Sequence, residues 1–109
     1  ANQPVDISVL ADVPADKVVS IQINDVWERP YATTILRDES MHDRLAPGTG
    51  IGCTVAFVKM IREKGIEPNA IGVEVISDAN PEKGIEYAAQ HTYENTKKVL
   101  EEAWPEVLN

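Results

Sequence analysis

Hydrophobic residues along this chain recur with a period of two in two short stretches and with a helical period in others. In Val18 to Ile23 the β-branched Val19, Ile21 and Ile23 share one face, while Val18, Ser20 and Gln22, followed by Asn24, share the other, which predicts a strand. Ala70 to Ile76 repeats the pattern, with Ile71, Val73 and Val75 opposed to Gly72, Glu74 and Ile76. Thr54 to Lys64 places Val55, Val58 and Ile61 on one helical face, with Arg62, Glu63 and Lys64 in its last turn and Gly65 to cap it. Pro4 to Ala11 predicts a short helix carrying Val5, Val9 and Leu10, ended near Pro14. A long helix is expected from Asn80 and Pro81 to about Trp104, its inner stripe being Ile85, Ala88, Ala89, Thr92, Thr96, Val99, Leu100 and Ala103, with Pro105 ending it. Asn24 to Gly52 has little periodicity and carries Pro30, Pro47, Gly48, Gly50 and Gly52, so a long loop is expected, with one helical turn around Thr34 to Arg37. Loops of this length inside a compact domain are usually functional or disordered.

The order helix, strand, long loop, helix, strand, helix describes consecutive βα units, whose strands run parallel and have both faces covered. Two parallel strands cannot enclose themselves. Helices satisfy the outer face, but the inner face with Gln22, Glu74 and Ile76 needs further strands. A complete barrel takes about 250 residues. The expected fold class is therefore α/β, with residues 1–109 forming the C-terminal βα units of a single (β/α)8 TIM barrel that is incomplete in this chain. The remaining barrel would come from a larger polypeptide, another copy of the chain or a partner. A self-sufficient small domain would leave a strand edge exposed on each side.

Composition narrows the partners. With 43% hydrophobic and 26% charged residues the chain reads as an ordinary globular protein. Eighteen acidic against ten basic residues give a charge of −8, which argues against nucleic acid and against an anionic membrane surface. No apolar run approaches the roughly 20 residues needed to span a bilayer. The first ten residues lack a basic start and an apolar block, so no secretory leader is expected. Cys53, the only cysteine, reads as a small apolar filler and suits a reducing, cytoplasmic setting.

Glu74 is the anomaly. A carboxylate between Val73 and Val75 in a buried strand is costly unless it is paired or bound to a cation. In a barrel the C-terminal ends of both strands share one mouth, where active sites are built, so Gln22 and Glu74 would sit at similar depth on its wall. Both offer oxygen, a set that suits Mg²⁺ or Mn²⁺ better than a thiolate-loving metal. A buried Glu hydrogen-bonded to Gln or paired with Arg would give the same pattern.

The run VVSIQIND, a charged loop ending in HDRLAPGTG, a helix, and then IGVEVISD resemble the last two strands of the sugar phosphate isomerase/epimerase superfamily, the xylose isomerase-like barrels. PVDISVLADVPADKV is similar to the lead-in before those strands and PEKGIEYAAQHTYENTKKVL to the closing helix, so the resemblance covers nearly the whole chain. It implies a metal held by carboxylates from earlier strands, a His or Gln from the penultimate strand and a Glu from the last. Gln22 and Glu74 match the last two positions. Many members have His where Gln22 stands, and Gln resembles the branch of dehydroshikimate dehydratase-like lyases. The family's PGEG loop is PGTG here, Thr49 removing a charge.

The resemblance also implies that Arg44 contacts substrate oxygens; a salt bridge to Asp43 or Glu39 is the alternative. His42 is a candidate to move a proton in catalysis, or else a solvated loop histidine. Asp25, Trp27 and Tyr31 could wall the pocket, with loop packing preferred for Trp27, and Trp104 reads as a helix-end anchor. The expected function is a divalent-metal-dependent sugar or sugar phosphate isomerase or epimerase in carbohydrate metabolism, acting through an enediolate on a small polyhydroxylated substrate. Loss of a β-hydroxyl from the same species would make it a dehydratase. A non-catalytic association module that pairs its open strands with another chain is the alternative of a different class. On the barrel reading, the 109-residue chain alone would be inactive.

Overall fold

The computed structural model describes residues 6–28 and 36–109, apart from the side chains of Leu36 and Glu39. Strand β1 is Ser20–Ile23 and strand β2 is Ala70–Val73. They pair in parallel, with Ser20 opposite Ala70 and Ile23 opposite Val73, and form a two-stranded sheet. Between them lie α1, Leu36–His42, and α2, Thr54–Glu63; after them come α3, Ala79–Lys83, and α4, Ile85–Ala103. The architecture is mixed α/β, and no described helix is long and apolar enough to cross a membrane.

The alternation in β1 decides which face is covered. Ile21 and Ile23 are buried, whereas Ser20 and Gln22 are exposed. Ile23 joins Val58 of α2 and Val99, Leu100 and Ala103 of α4 in one buried cluster; Ile21 joins Ile61 and Ile66 in a second. Ile71, Phe57 and Trp104 lean on both clusters, so Trp104 does pack at the end of its helix. Burial of such side chains is worth about 1.5–3 kcal/mol each. Helices α2 and α4 thus form one layer on one side of the sheet, and among the described residues nothing covers the face carrying Gln22 and Glu74.

Several expectations shift. Of the helix expected from Pro4, residues 4 and 5 lie outside the described part, and the rest is a single 3₁₀ turn, Ile7–Leu10. Asp6 caps it, and the hydroxyl and amide of Ser8 hold its carboxyl below the ordinary range. Val19 is 64% exposed although it shares parity with Ile21; it lies one residue before β1. The turn expected at Thr34 to Arg37 falls partly outside the described residues, and the helix found there runs on to His42. Its polar sequence carries no apolar period to announce it.

The long C-terminal helix is two helices. Gly84, at φ 90° and ψ 156°, breaks it with a conformation that glycine alone adopts easily. Ile85 is consequently 87% exposed instead of lying on the inner stripe, and Ala89 is exposed too. Helix α2 agrees with its pattern, with Val58 fully buried, Ile61 nearly so, and Gly65 at φ 70° closing it. Cys53 does not fill a core: it is exposed, takes a left-handed φ of 57°, and its thiol leans on the Ile51 carbonyl.

Candidate functional site at the carboxyl ends of the strands

Both strands end at the same side of the molecule, and three connections hold those ends together. The Asn24 side-chain amide donates to the Glu74 carbonyl at 3.1 Å. The buried Thr54 hydroxyl donates to the Asn24 carbonyl at 3.0 Å, tying the first turn of α2 to the end of β1. The segment 42–45 then inserts between the strand ends. Leu45 and Asp25 exchange both backbone hydrogen bonds at 2.9 Å, Arg44 N–H donates to the Ile76 carbonyl, and Asp78 N–H donates to the His42 carbonyl.

Asp25 anchors the loop beyond β1. It is 1% exposed, and its Oδ1 accepts the Gly52 N–H at 2.6 Å and the Val26 N–H at 2.9 Å. Gly50 and Gly52 lie so close that an added Cβ at either would overlap Asp25 Oδ1, and at Gly50 also the Val26 carbonyl. The PGTG string therefore has a packing reason. The described hydrogen bonds of Asp25 hold backbone under the mouth, and the residue also borders a cavity of about 350 Å³ with Gly48, Gly50 and Thr54.

Gln22 and Glu74 emerge on the open face. Gln22 is paired in register with Gly72, whose missing side chain leaves room beside it. Glu74 stands two residues further along, just past the end of β2. They are thus neighbours on a diagonal, with Cα atoms about 8 Å apart by standard strand spacing and rise, and not at one depth. Both are exposed, and among the described residues neither side chain has a hydrogen-bond or ion-pair partner. The expected burial of Glu74 is therefore absent in this chain, because nothing described covers its face. Two oxygen donors left uncommitted at one strand end are chemically suited to a hard divalent cation. They are only part of a ligand set: no cluster of three or more His, Cys, Asp or Glu able to hold a metal occurs among the described residues.

Arg44 and Trp27 come together elsewhere. Both line a cavity of about 330 Å³ between the 43–46 segment, the end of β2 and the α3–α4 junction. Arg44 is half-buried and Trp27 is 49% exposed. Tyr31 lies outside the described residues, as does the side chain of Glu39, one of the suggested partners of Arg44. His42 sits apart, at the end of α1 and not in an irregular loop, with Nδ1 at 3.1 and 3.2 Å from the two carboxylate oxygens of Asp78. That pairing ties α1 to α3.

The cavity also contains residues that the pattern did not single out: Asn80, Lys83, Tyr87 and His91. Lys83 Nζ stands 4.9 Å from the centre of the Tyr87 ring, and the Tyr87 and His91 rings stack at 5.3 Å. Tyr87 and His91, four apart, share a face of α4, and Lys83, the last residue of α3, extends the row across the Gly84 break.

No protein-family model matches the chain, and no curated protein does. Among solved structures, a crystal structure of the IOLI protein with a bound zinc atom is similar to it, with a TM-score of 0.75 and 21% sequence identity. The match covers 91% of this chain and 34% of that one, so the chain spans about a third of the structure it resembles. At that identity the likeness describes the fold. It makes the helix layer and parallel strand pair similar to part of a TIM barrel.

Proposed function

We propose that this chain supplies the last two βα units of a metal-dependent (β/α)8 barrel enzyme of the sugar isomerase and epimerase kind. The observation that carries the reading is the pair Gln22 and Glu74, two uncommitted oxygen side chains on the open face at the carboxyl ends of parallel strands. The fold likeness to part of a zinc-containing barrel structure supports it. In this reading Gln22 contributes a neutral carbonyl oxygen and Glu74 an anionic one, and the remaining ligands and the proton-transfer base come from strands outside this chain. When bound, a divalent metal, Mg²⁺, Mn²⁺ or the Zn²⁺ found in the similar structure, supplies Lewis acidity to adjacent oxygens of a polyhydroxylated substrate. Arg44, whose backbone N–H donates to the Ile76 carbonyl beside the strand ends, carries a guanidinium suited to oxygen-rich groups. Asn24 and Asp25 keep the two strand ends and the glycine loop in place, which fixes the spacing of the two ligands.

Gln22 favours one close rival, a dehydratase of the 3-dehydroshikimate type, in which the same acidified C–H leads to loss of a hydroxyl. The outer edges of β1 and β2, unpaired among the described residues, favour a rival of another class, an association module. A metal titration of the longest native polypeptide carrying these residues, compared with its Glu74→Ala variant, tests the reading. Outer-shell substitutions alone typically weaken metal binding about 10- to 100-fold, so loss of a direct carboxylate ligand should cost about 100-fold or more. Unchanged affinity would sink the site. Sugar turnover by the 109-residue chain alone would overturn the division of ligands among strands.

A further inference from the structure

The cavity beside α4 lies on the opposite side of β2 from Glu74. Ile71 packs toward the helices, Val73 and Val75 border a groove with Ala88 and Thr92 of α4, Val75 also lines the cavity, and Glu74 between them lines neither. It is therefore a different site from the Gln22–Glu74 face, and its chemistry is the same whether or not that face binds metal. In a chain of net charge −8, two cations, Arg44 and Lys83, reach its wall beside one acid, Asp43, and Arg44 and Asp43 each have a partner of their own. Lys83 has no carboxylate partner among the described residues; its ammonium stands over the Tyr87 ring.

His91 is set as a donor by its neighbour. The Asn95 side-chain Nδ2 lies 2.8 Å from the His91 carbonyl oxygen, and flipping that amide would set two oxygens against each other. Nδ2 is therefore the donor, and it also faces His91 Nδ1 at 3.3 Å, so Nδ1 accepts and the imidazole proton resides on Nε2. The stacked Tyr87 ring holds the imidazole plane. A lysine point charge, an imidazole N–H and the Asn80 amide around about 330 Å³ of space are the complement of a small anion on a compact body, within the size range of small-molecule cavities.

We propose that this cavity is an anion site that takes a small molecule through a phosphate or carboxylate group, with Lys83 as its principal cation and the Tyr87–His91 stack as its floor. Inorganic phosphate, and acetate in a parallel arm, are titrated into the 109-residue chain at constant ionic strength while the Tyr87 and His91 ring resonances are followed by NMR. Both rings should shift together and saturably. Phosphate binding tighter than acetate assigns the site to phosphate groups, and the reverse order to carboxylates. Lys83→Gln should weaken binding about fivefold or more and Lys83→Arg should restore it to within about twofold, because the exposed lysine acts through its charge. Rings that do not move at high phosphate and acetate, or a Lys83→Gln chain that binds as tightly as the native one, would overturn the proposal. Because the native titration reads the rings directly, the test does not depend on any variant folding.

Discussion

Removing the Asp25 carboxylate should cost this protein more than its place in a loop suggests. The side chain is 1% exposed, and a single oxygen, Oδ1, accepts Gly52 N–H at 2.6 Å and Val26 N–H at 2.9 Å. Asp25→Ala keeps the backbone pair with Leu45 but leaves both amides without their acceptor. Each orphaned buried donor costs about 1–3 kcal/mol. Part of that is returned because a buried carboxylate no longer has to be kept out of water. The net loss is about 2–3 kcal/mol, against about 1 kcal/mol for Asp25→Asn, whose amide oxygen can still accept both bonds. Urea unfolding of the three chains, with hydrogen exchange at the Gly52 amide, measures both the size and the place of the effect. If Asp25→Ala unfolds within about 0.5 kcal/mol of the native chain and Gly52 exchanges no faster, the carboxylate does not hold the loop.

Two glycines offer a contrast. Gly50→Ala would drive a Cβ into the Val26 carbonyl and Asp25, and should cost about 2–3 kcal/mol and open the loop; Gly65→Ala meets nothing within 4 Å and carries only its φ of 70°, about 1 kcal/mol. Equal midpoints in urea would show that crowding at Gly50 is not what the loop requires. Val58→Ala, at the fully buried centre of the cluster formed with Ile23, Val99 and Leu100, should lower stability by about 2 kcal/mol in the same assay, and a change below about 0.5 kcal/mol would mean the helix layer is not packed as described.

What the residues determined alone were the elements with a clean period. The alternation of Ile21 and Ile23 with Ser20 and Gln22, and the stripe of Val58 and Ile61, each commit a face to the core whatever the rest of the chain does. The placement of Gln22 and Glu74 on a shared strand face comes from the same period of two. Their offset by a register step was beyond it, because register is a relation between strands and is decided by which backbone groups pair. The Gly84 break was hidden because glycine fits a helical pattern locally, and only packing of the flanking helices selects its φ of 90°. The burial of Asp25 was not legible because a polar residue after a strand carries no mark of its partners. Its burial depends on Gly50, Gly52 and Leu45, some 20 to 27 positions away, folding back over it. The Lys83–Tyr87–His91 row was present as a spacing, but it becomes a cavity wall only where the 43–46 segment closes over α4. Local periodicity is written residue by residue; the company that a side chain keeps is written only by the fold.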